Sequence, residues 1–330
     1  MAEDTFMTST EKKYLIGIDL GGTNIAAGVT DRAGNIIAKH SIPTQAKRHY
    51  TEIIADMASA AKAACDKAGI RMDEVEGIGI GSPGTVDSRN GILIYTNNIN
   101  FNNVPMRAEM NRHIDLPVFI SNDANCAALG ETADCGAAKG YRNVILITLG
   151  TGLGGGIIID GKIYEGEHGA GAELGHTVIV VDGEPCTCGR KGCWECYSSA
   201  TGLIRMTREA IEADRSSVMW GMIGHDPDRI SGRTAFDASR KGDATAVAVV
   251  GTYIRYLSEG IINMMNIFRP EIFLIGGGVC NEGEALFEPL RSYVDASIYG
   301  KQRVPVPPIL RAKLGNDAGI IGAAMLVIKN

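Results

Sequence analysis

The sequence predicts an α/β protein made of two similar units with a cleft between them, and three observations carry that expectation. Short β-rich runs closed by glycine turns alternate with helical segments along the 330 residues. The succession starts again near residue 143. No linker or low-complexity stretch separates the halves, and a chain of this length supports two domains more readily than one.

In order, the runs at 14–22 (YLIGIDLGG), 24–31 (NIAAGVTD) and 35–44 (NIIAKHSIPT) read as a three-stranded meander. A helix follows over about 51–68. Its residues Ile53, Ile54, Met57, Ala60, Ala61, Ala64 and Cys65 recur at helical spacing, and Gly69 is placed as a C-cap. Next come a strand at 77–84, a helix near 105–113, a strand at 117–123 and a helix from Ala124 to about Cys135. The second unit repeats the meander at 143–152, 154–161 and 162–167 (KIYEGE). It continues with a strand at 271–279, a helix near 283–297, a strand at 308–314 and a closing helix over about 317–328. Between its parts lies a helical insertion that includes 244–268, where Met264 and Met265 are expected to fill core.

Apolar residues make up 45% and charged residues 21% of the chain, an ordinary globular composition. A net charge of −6 argues against a partner held by a broad basic surface, so no nucleic acid is expected. The first residues lack a signal-peptide core, and nowhere is there a run of about 20 apolar residues. A cytoplasmic protein that does not engage membrane is expected. Four of the eight cysteines fall between Cys186 and Cys196, a clustering that points to metal before disulfides.

Asp19-Leu20-Gly21-Gly22-Thr23-Asn24 forms a hairpin turn in which two glycines open the backbone N–H groups to a polyphosphate and Thr23 adds a hydroxyl. Asp19, ending an apolar strand, is suited to hold Mg²⁺ through oxygen; the plainer reading is a solvated Asp beside a glycine hairpin. The matching turn of the second unit, Thr148 to Gly156, includes Thr151 and Gly152. A third glycine run, Gly276-Gly277-Gly278, ends a strand where an adenosine could lie against backbone. Recurrence at matching positions of a duplicated fold points to phosphoryl transfer, although no Walker A motif occurs.

Asn122-Asp123-Ala124-Asn125 sits where a strand gives way to a helix. Asp123 could serve as helix N-cap. At the carboxyl end of a buried strand it could equally take the proton of an attacking hydroxyl. Gly84, with Ser82 and Pro83 before it, and Asn98, Asn122, Glu173, His176 and Glu195 are candidate sugar contacts, since hydroxyls call for clustered planar polar groups. His176, Cys186, Cys188 and Cys193 fall within 18 residues and suit a closed Cys₃His zinc site, with Cys196 left over. Such a zinc would be structural. It would turn the free nitrogen of His176 toward a ligand.

DLGGTN at 19–24, LGTGLGGGIIIDGKIYEGEHGAGAELGH at 149–176 and CTCGRKGCWE at 186–195 resemble the three signatures of the ROK family of repressors and sugar kinases, within the actin-like ATPase superfamily, and the similarity runs from about 14 to 328. The resemblance implies duplicated ribonuclease H-like units: a small lobe of 1–123 with 315–330, and a large lobe of 124–314 carrying the zinc loop and the helical insertion. It implies that Asp123 is the base and that Gly84, Asn98, Asn122, Glu173, His176 and Glu195 contact the sugar. Gly22, Thr23, Thr151 and Gly152 would meet the phosphates of ATP, with Gly21, Asn24, Gly276 and Gly277 beside them. The ExGH form at 173–176 is similar to that of the family's glucokinases, so glucose is the expected substrate, its 6-hydroxyl the acceptor. N-acetylmannosamine, fructose or allose kinases, a non-catalytic sugar sensor, and polyphosphate as donor are the alternatives. A homodimer or homotetramer is implied. The family's repressors carry a winged helix-turn-helix ahead of the sugar domain; only 13 residues precede Tyr14, which favours an enzyme.

Overall fold

The computed structural model describes residues 12–96 and 98–329. Along the chain run β1 (Tyr14–Leu20), β2 (Asn24–Asp31), β3 (Ile36–Pro43), α1 (Tyr50–Ala68), β4 (Val75–Ser82), β5 (Thr85–Asp87), β6 (Ile92–Tyr95), β7 (Asn102–Val104), α2 (Met106–Asn111), β8 (Val118–Asn122) and α3 (Asp123–Glu131). They are followed by β9 (Val144–Leu149), β10 (Leu153–Ile159), β11 (Lys162–Ile163), α4 (Glu195–Ser198), α5 (Ala200–Ala213), α6 (Val218–Met222), α7 (Thr234–Ser239) and α8 (Ala244–Phe268). The chain continues through β12 (Ile272–Gly276), α9 (Glu284–Ser297), β13 (Ile309–Arg311) and α10 (Ala318–Lys329). None of the described helices is long and apolar enough to cross a membrane.

Two compact units result. The first comprises the described residues up to Gly140, Gly161–Gly171, and the chain from Asn316 on; the second comprises Tyr141–Asp160 and Ala172–Gly315. The first division falls after Gly140 instead of at residue 123, because α3 packs against α10 within the first unit.

The first unit's sheet has the order β3-β2-β1-β4-β8, with β1 antiparallel to β2 and parallel to β4, and β4 parallel to β8. Ile16, Ile18, Ile78 and Ile80 pack with Ile53, Ile54, Met57 and Ala61 of α1, the face its helical spacing predicts. Gly69 caps α1 in the left-handed conformation, φ 67°. Across the sheet, α10 approaches backbone to backbone. A Cβ on Gly17 would lie 1.9 Å from the Ile320 carbonyl oxygen, and one on Gly79 would lie 1.7 Å from that of Ala323. Between α10 and α3, a Cβ on Gly322 would lie 1.6 Å from the carbonyl oxygen of Cys126. These glycines are seats for a helix, and their in-strand and in-helix entropy cost is offset by the close approach they allow.

The second unit repeats the pattern with β10-β9-β12-β13, where β9 is antiparallel to β10 and parallel to β12, and β12 is parallel to β13. Its core joins Ile145, Ile147, Phe273 and Ile275 to Leu257, Ile261, Met264 and Met265 of α8; both methionines are core, as expected.

Several boundaries differ from the sequence reading. The expected strand at 162–167 is only two residues long, because the chain from Gly161 to Gly171 packs on the first unit: Glu165 accepts hydrogen bonds from the hydroxyls of Ser88 and Ser121. The helix expected to reach Cys135 stops at Glu131. The small sheet β5-β6-β7 escaped the sequence reading, its strands of three or four residues being too short to show a period.

Candidate active site

In the first unit, β8 delivers Asn122 and Asp123 to the start of α3. The cap is Asn122: its Oδ1 accepts from the N–H groups of Ala124 (2.9 Å) and Asn125 (3.3 Å), and its Nδ2 donates to the Gly84 carbonyl at 3.1 Å. Gly84 is held at φ 91°, where a Cβ would lie 2.0 Å from the Tyr95 carbonyl oxygen, so only glycine fits. Asp123 is therefore not needed as the cap. Its Oδ1 accepts from the adjacent Ala124 N–H at 2.8 Å. Burial raises its pKa, and hydrogen bonds from Ala124, its own backbone and Asn122 partly oppose that.

Asp19, at the end of β1, is raised to about 6, chiefly by burial and secondly by the charge of Asp123. Two carboxylates that repel one another in a poorly solvated place suit a divalent cation, a proton, or one of each. The sequence reading missed Gly319, in the first turn of α10. A Cβ there would lie 2.6 Å from Asp19 Oδ2, so the glycine makes room for the carboxylate. The available signal was a glycine opening an otherwise strongly apolar helix, where alanine would be the better helix former.

In the turn between β1 and β2 two carbonyls are held by Thr44. Thr44 donates its Oγ1 to Gly21 O (2.6 Å) and its N–H to Thr23 O (2.8 Å), while Gly21 N–H donates to Asn24 O (2.9 Å). The N–H groups of Gly22 and Thr23 have no hydrogen-bond partner among the described residues. Asn98 lies against Gly22, whose Cβ would meet that of Asn98 at 3.4 Å.

In the second unit, the turn from Gly150 to Leu153 is held likewise. Ala200 N–H donates to Gly150 O (2.9 Å), Thr201 Oγ1 donates to Thr151 O (2.7 Å), and Gly150 N–H donates to Gly152 O (3.0 Å). Leu153 N–H donates to Glu195 Oε2 at 2.9 Å, and Gly152 must lack a Cβ because one would lie 2.3 Å from that oxygen. The N–H groups of Thr151 and Gly152 remain without partners among the described residues. Gly277, at φ 92° after β12, packs on the same strand end, since a Cβ there would lie 2.3 Å from the Leu149 carbonyl oxygen; Gly276 precedes it.

Glu173 leads into the short 3-10 turn Leu174–His176, whose Gly175 fits against β10 because a Cβ would lie 2.2 Å from the Leu153 carbonyl oxygen. His176, Cys186, Cys188 and Cys193 offer one ligand atom each, all within 4.8 Å of one another. Cys186 Sγ is 3.6 Å from His176 Nδ1, and Cys188 Sγ is 3.6 Å from Cys193 Sγ. Three thiols and an imidazole so close together, in a loop of few apolar residues, form a donor set that can hold a metal ion. Cys196 stands outside it, with its thiol directed to the Pro185 carbonyl at 3.5 Å.

The site residues thus fall into two groups: Asp19, Gly21–Asn24, Gly84, Asn98, Asn122 and Asp123 in the first unit, and Thr151, Gly152, Glu173, His176, Glu195, Gly276, Gly277 and the thiol cluster in the second.

Known proteins share this framework. A glucokinase of Streptomyces coelicolor is 40% identical over 315 residues, 94% of this chain and 96% of that one, and a glucokinase of Thermotoga maritima is 36% identical over 96% of this chain and 98% of its own. The crystal structure of a ROK family glucokinase from Streptomyces griseus, in complex with glucose and AMPPNP, superposes with a TM-score of 0.79 at 37% identity, covering 96% of this chain and all of that one. The ROK family model matches residues 15–330, nearly the whole chain with both glycine turns and the thiol cluster, and the chain belongs to the ROK family.

Proposed function

We propose that the protein is an ATP-dependent hexose kinase that phosphorylates the 6-hydroxyl of glucose, with Asp123 as general base. The observation that carries this reading is the division of labour at the start of α3: Asn122 caps the helix, which leaves Asp123 a carboxylate of raised pKa at the end of a buried strand. Kinship to glucokinases at 36–40% identity supports the substrate.

In the reaction, the hexose hydroxyl gives its proton to Asp123 as its oxygen forms a bond to the γ-phosphorus, and ADP departs with the electrons of the broken P–O bond. Gly22, Thr23, Thr151 and Gly152 supply N–H donors for the phosphates, with Gly21, Asn24, Gly276 and Gly277 shaping the backbone about them. Gly84, Asn98, Asn122, Glu173, His176 and Glu195 orient the hexose. Mg²⁺, when bound, neutralises phosphate charge, and Asp19 is the carboxylate to hold it. His176, Cys186, Cys188 and Cys193 would hold a structural Zn²⁺, leaving His176 Nε2 for the sugar. A cytoplasmic location belongs to the same reading, since thiolates stay reduced there. Family likeness extends it to a homodimer or homotetramer, which sedimentation would measure.

The test is ADP release with glucose, mannose, fructose and N-acetylmannosamine, each with ATP and with polyphosphate as donor. Preferred turnover of glucose with ATP is expected. Absence of turnover on every sugar by folded, metal-loaded protein would overturn the reading.

A further inference from the structure

The two glycine turns are fixed by the same device. Behind each lies a threonine whose hydroxyl donates to a turn carbonyl: Thr44 to Gly21 at 2.6 Å, and Thr201 to Thr151 at 2.7 Å. Each is accompanied by a backbone N–H on a neighbouring carbonyl of the same turn, from Thr44 itself to Thr23 O and from Ala200 to Gly150 O. A peptide group held by its oxygen can swing neither that oxygen nor the attached N–H of the next residue. In the second turn the held carbonyls of Gly150 and Thr151 fix the N–H groups of Thr151 and Gly152, and in the first the held carbonyl of Gly21 fixes that of Gly22; these N–H groups, and that of Thr23, have no hydrogen-bond partner among the described residues. Four-residue turns rich in glycine would otherwise sample many conformations, including those that aim carbonyl oxygens at an anion.

We infer that Thr44 and Thr201 are positioning residues that preorganise the two turns for the phosphates of the nucleotide, acting through the turn carbonyls and not by touching ATP. The inference rests on the kinase reading above. The two threonines reach their turns differently. Thr44 is fully buried just after β3, whereas Thr201 is exposed in the first turn of α5, a helix capped by Ser199 through Gly202 N–H. The same hydrogen-bond pattern therefore recurs on unrelated local structure. In the second unit the arrangement also reaches a sugar-contact candidate, because Glu195, six residues before Thr201, holds the far side of the turn through Leu153 N–H.

The experiment replaces each hydroxyl by an isosteric methyl and then restores it. Thr201→Val is expected to raise KM for ATP, and to weaken AMPPNP binding by calorimetry, about 3- to 10-fold, the range for one neutral hydrogen bond. The hexose Kd without nucleotide, and the Tm, should stay at parent values, and Thr201→Ser should return the ATP KM toward the parent's. Thr44→Val should act in the same direction with some loss of Tm because it is buried; should it fail to fold, the exposed Thr201 pair still decides. Unchanged nucleotide affinity in Thr201→Val, or equal losses of nucleotide and hexose affinity, would overturn the inference. A parent protein that binds AMPPNP but turns over no hexose would sink the hexokinase reading while leaving the calorimetric comparison of Thr201 variants intact.

Discussion

At the scale of single residues, the proposed chemistry rests on two carboxylates, Asp19 and Asp123, whose pKa burial raises. Asp123→Asn retains size and hydrogen bonding but cannot take a proton. Its kcat should fall at least about 100-fold with fold and hexose affinity retained, as steady-state kinetics and calorimetry would measure; near-normal kcat would leave Asp123 without a catalytic role. Asp19 makes a second prediction, whose sign follows from linkage. Its pKa rises from 3.8 in the unfolded chain to about 6 in the fold, so folding favours the protonated acid. Stability from this group is present below 3.8, declines as pH rises, and is gone above about 6. Asp19→Asn should therefore raise the Tm of protein free of Mg²⁺ and nucleotide at pH 8, and the gain should vanish toward pH values below about 4. Calorimetry at the two pH values checks it: an equal gain at both would assign the effect to something other than charge. The same variant should lose activity if Asp19 holds Mg²⁺ as proposed, and full activity would remove it from the site.

At the scale of elements, the thiol loop and α10 show two ways of fixing a segment. The loop from Val178 to Cys193 is closed by isolated bridges, Val178 with Cys193 and Pro185 with Lys191, and contributes little to the core. Its order should depend on the metal. Cys188→Ser is expected to lose bound zinc by elemental analysis and to raise the hexose KM, because the proposed function makes His176 both a zinc ligand and a sugar contact, and Trp194, next to Cys193, ties the loop to Thr177; full zinc content would show the ligand set to be wrong. Helix α10 is fixed instead by glycine seats. Gly322→Ala would drive a methyl against the Cys126 carbonyl and should destabilise by about 1–3 kcal/mol in urea unfolding. Gly251→Ala in α8, where a Cβ meets nothing within 4 Å, should instead stabilise by up to about 1 kcal/mol. Equal effects of the two would mean that helix propensity, and not the close approach, governs Gly322.

At the scale of the molecule, what could be read from the sequence was whatever is local or periodic. The buried face of α1, its cap at Gly69, the two glycine turns and the Cys₃His spacing are all carried by neighbouring residues, so they could be read directly. What could not be read arises from contacts far apart in the chain. Gly319 matters only because α10 returns to β1 beside Asp19, and Thr201 only because α5 begins under the β9–β10 turn. KIYEGE reads as a strand until Glu165 is seen to be engaged by Ser88 and Ser121, some 77 and 44 residues earlier. Asp123 could be the helix cap on sequence grounds, and only the bonds that Asn122 Oδ1 accepts from the N–H groups of Ala124 and Asn125 show the cap to be its neighbour.

The glycine seats of α10 also set an order of events at the ribosome. Strands β1, β4 and β8 emerge early, yet the helix that covers Gly17 and Gly79 follows residue 315, after the whole second unit has been synthesised. Throughout that interval the part of the sheet face that will receive Ile320, Ala323 and Ala324 lacks its covering helix, and only α3, which seats Cys126 against Gly81, is already made. Nascent chains paused before Ala318 would display a narrow apolar trough able to accept a helix from a neighbouring polysome chain, so the first unit is made first and finished last.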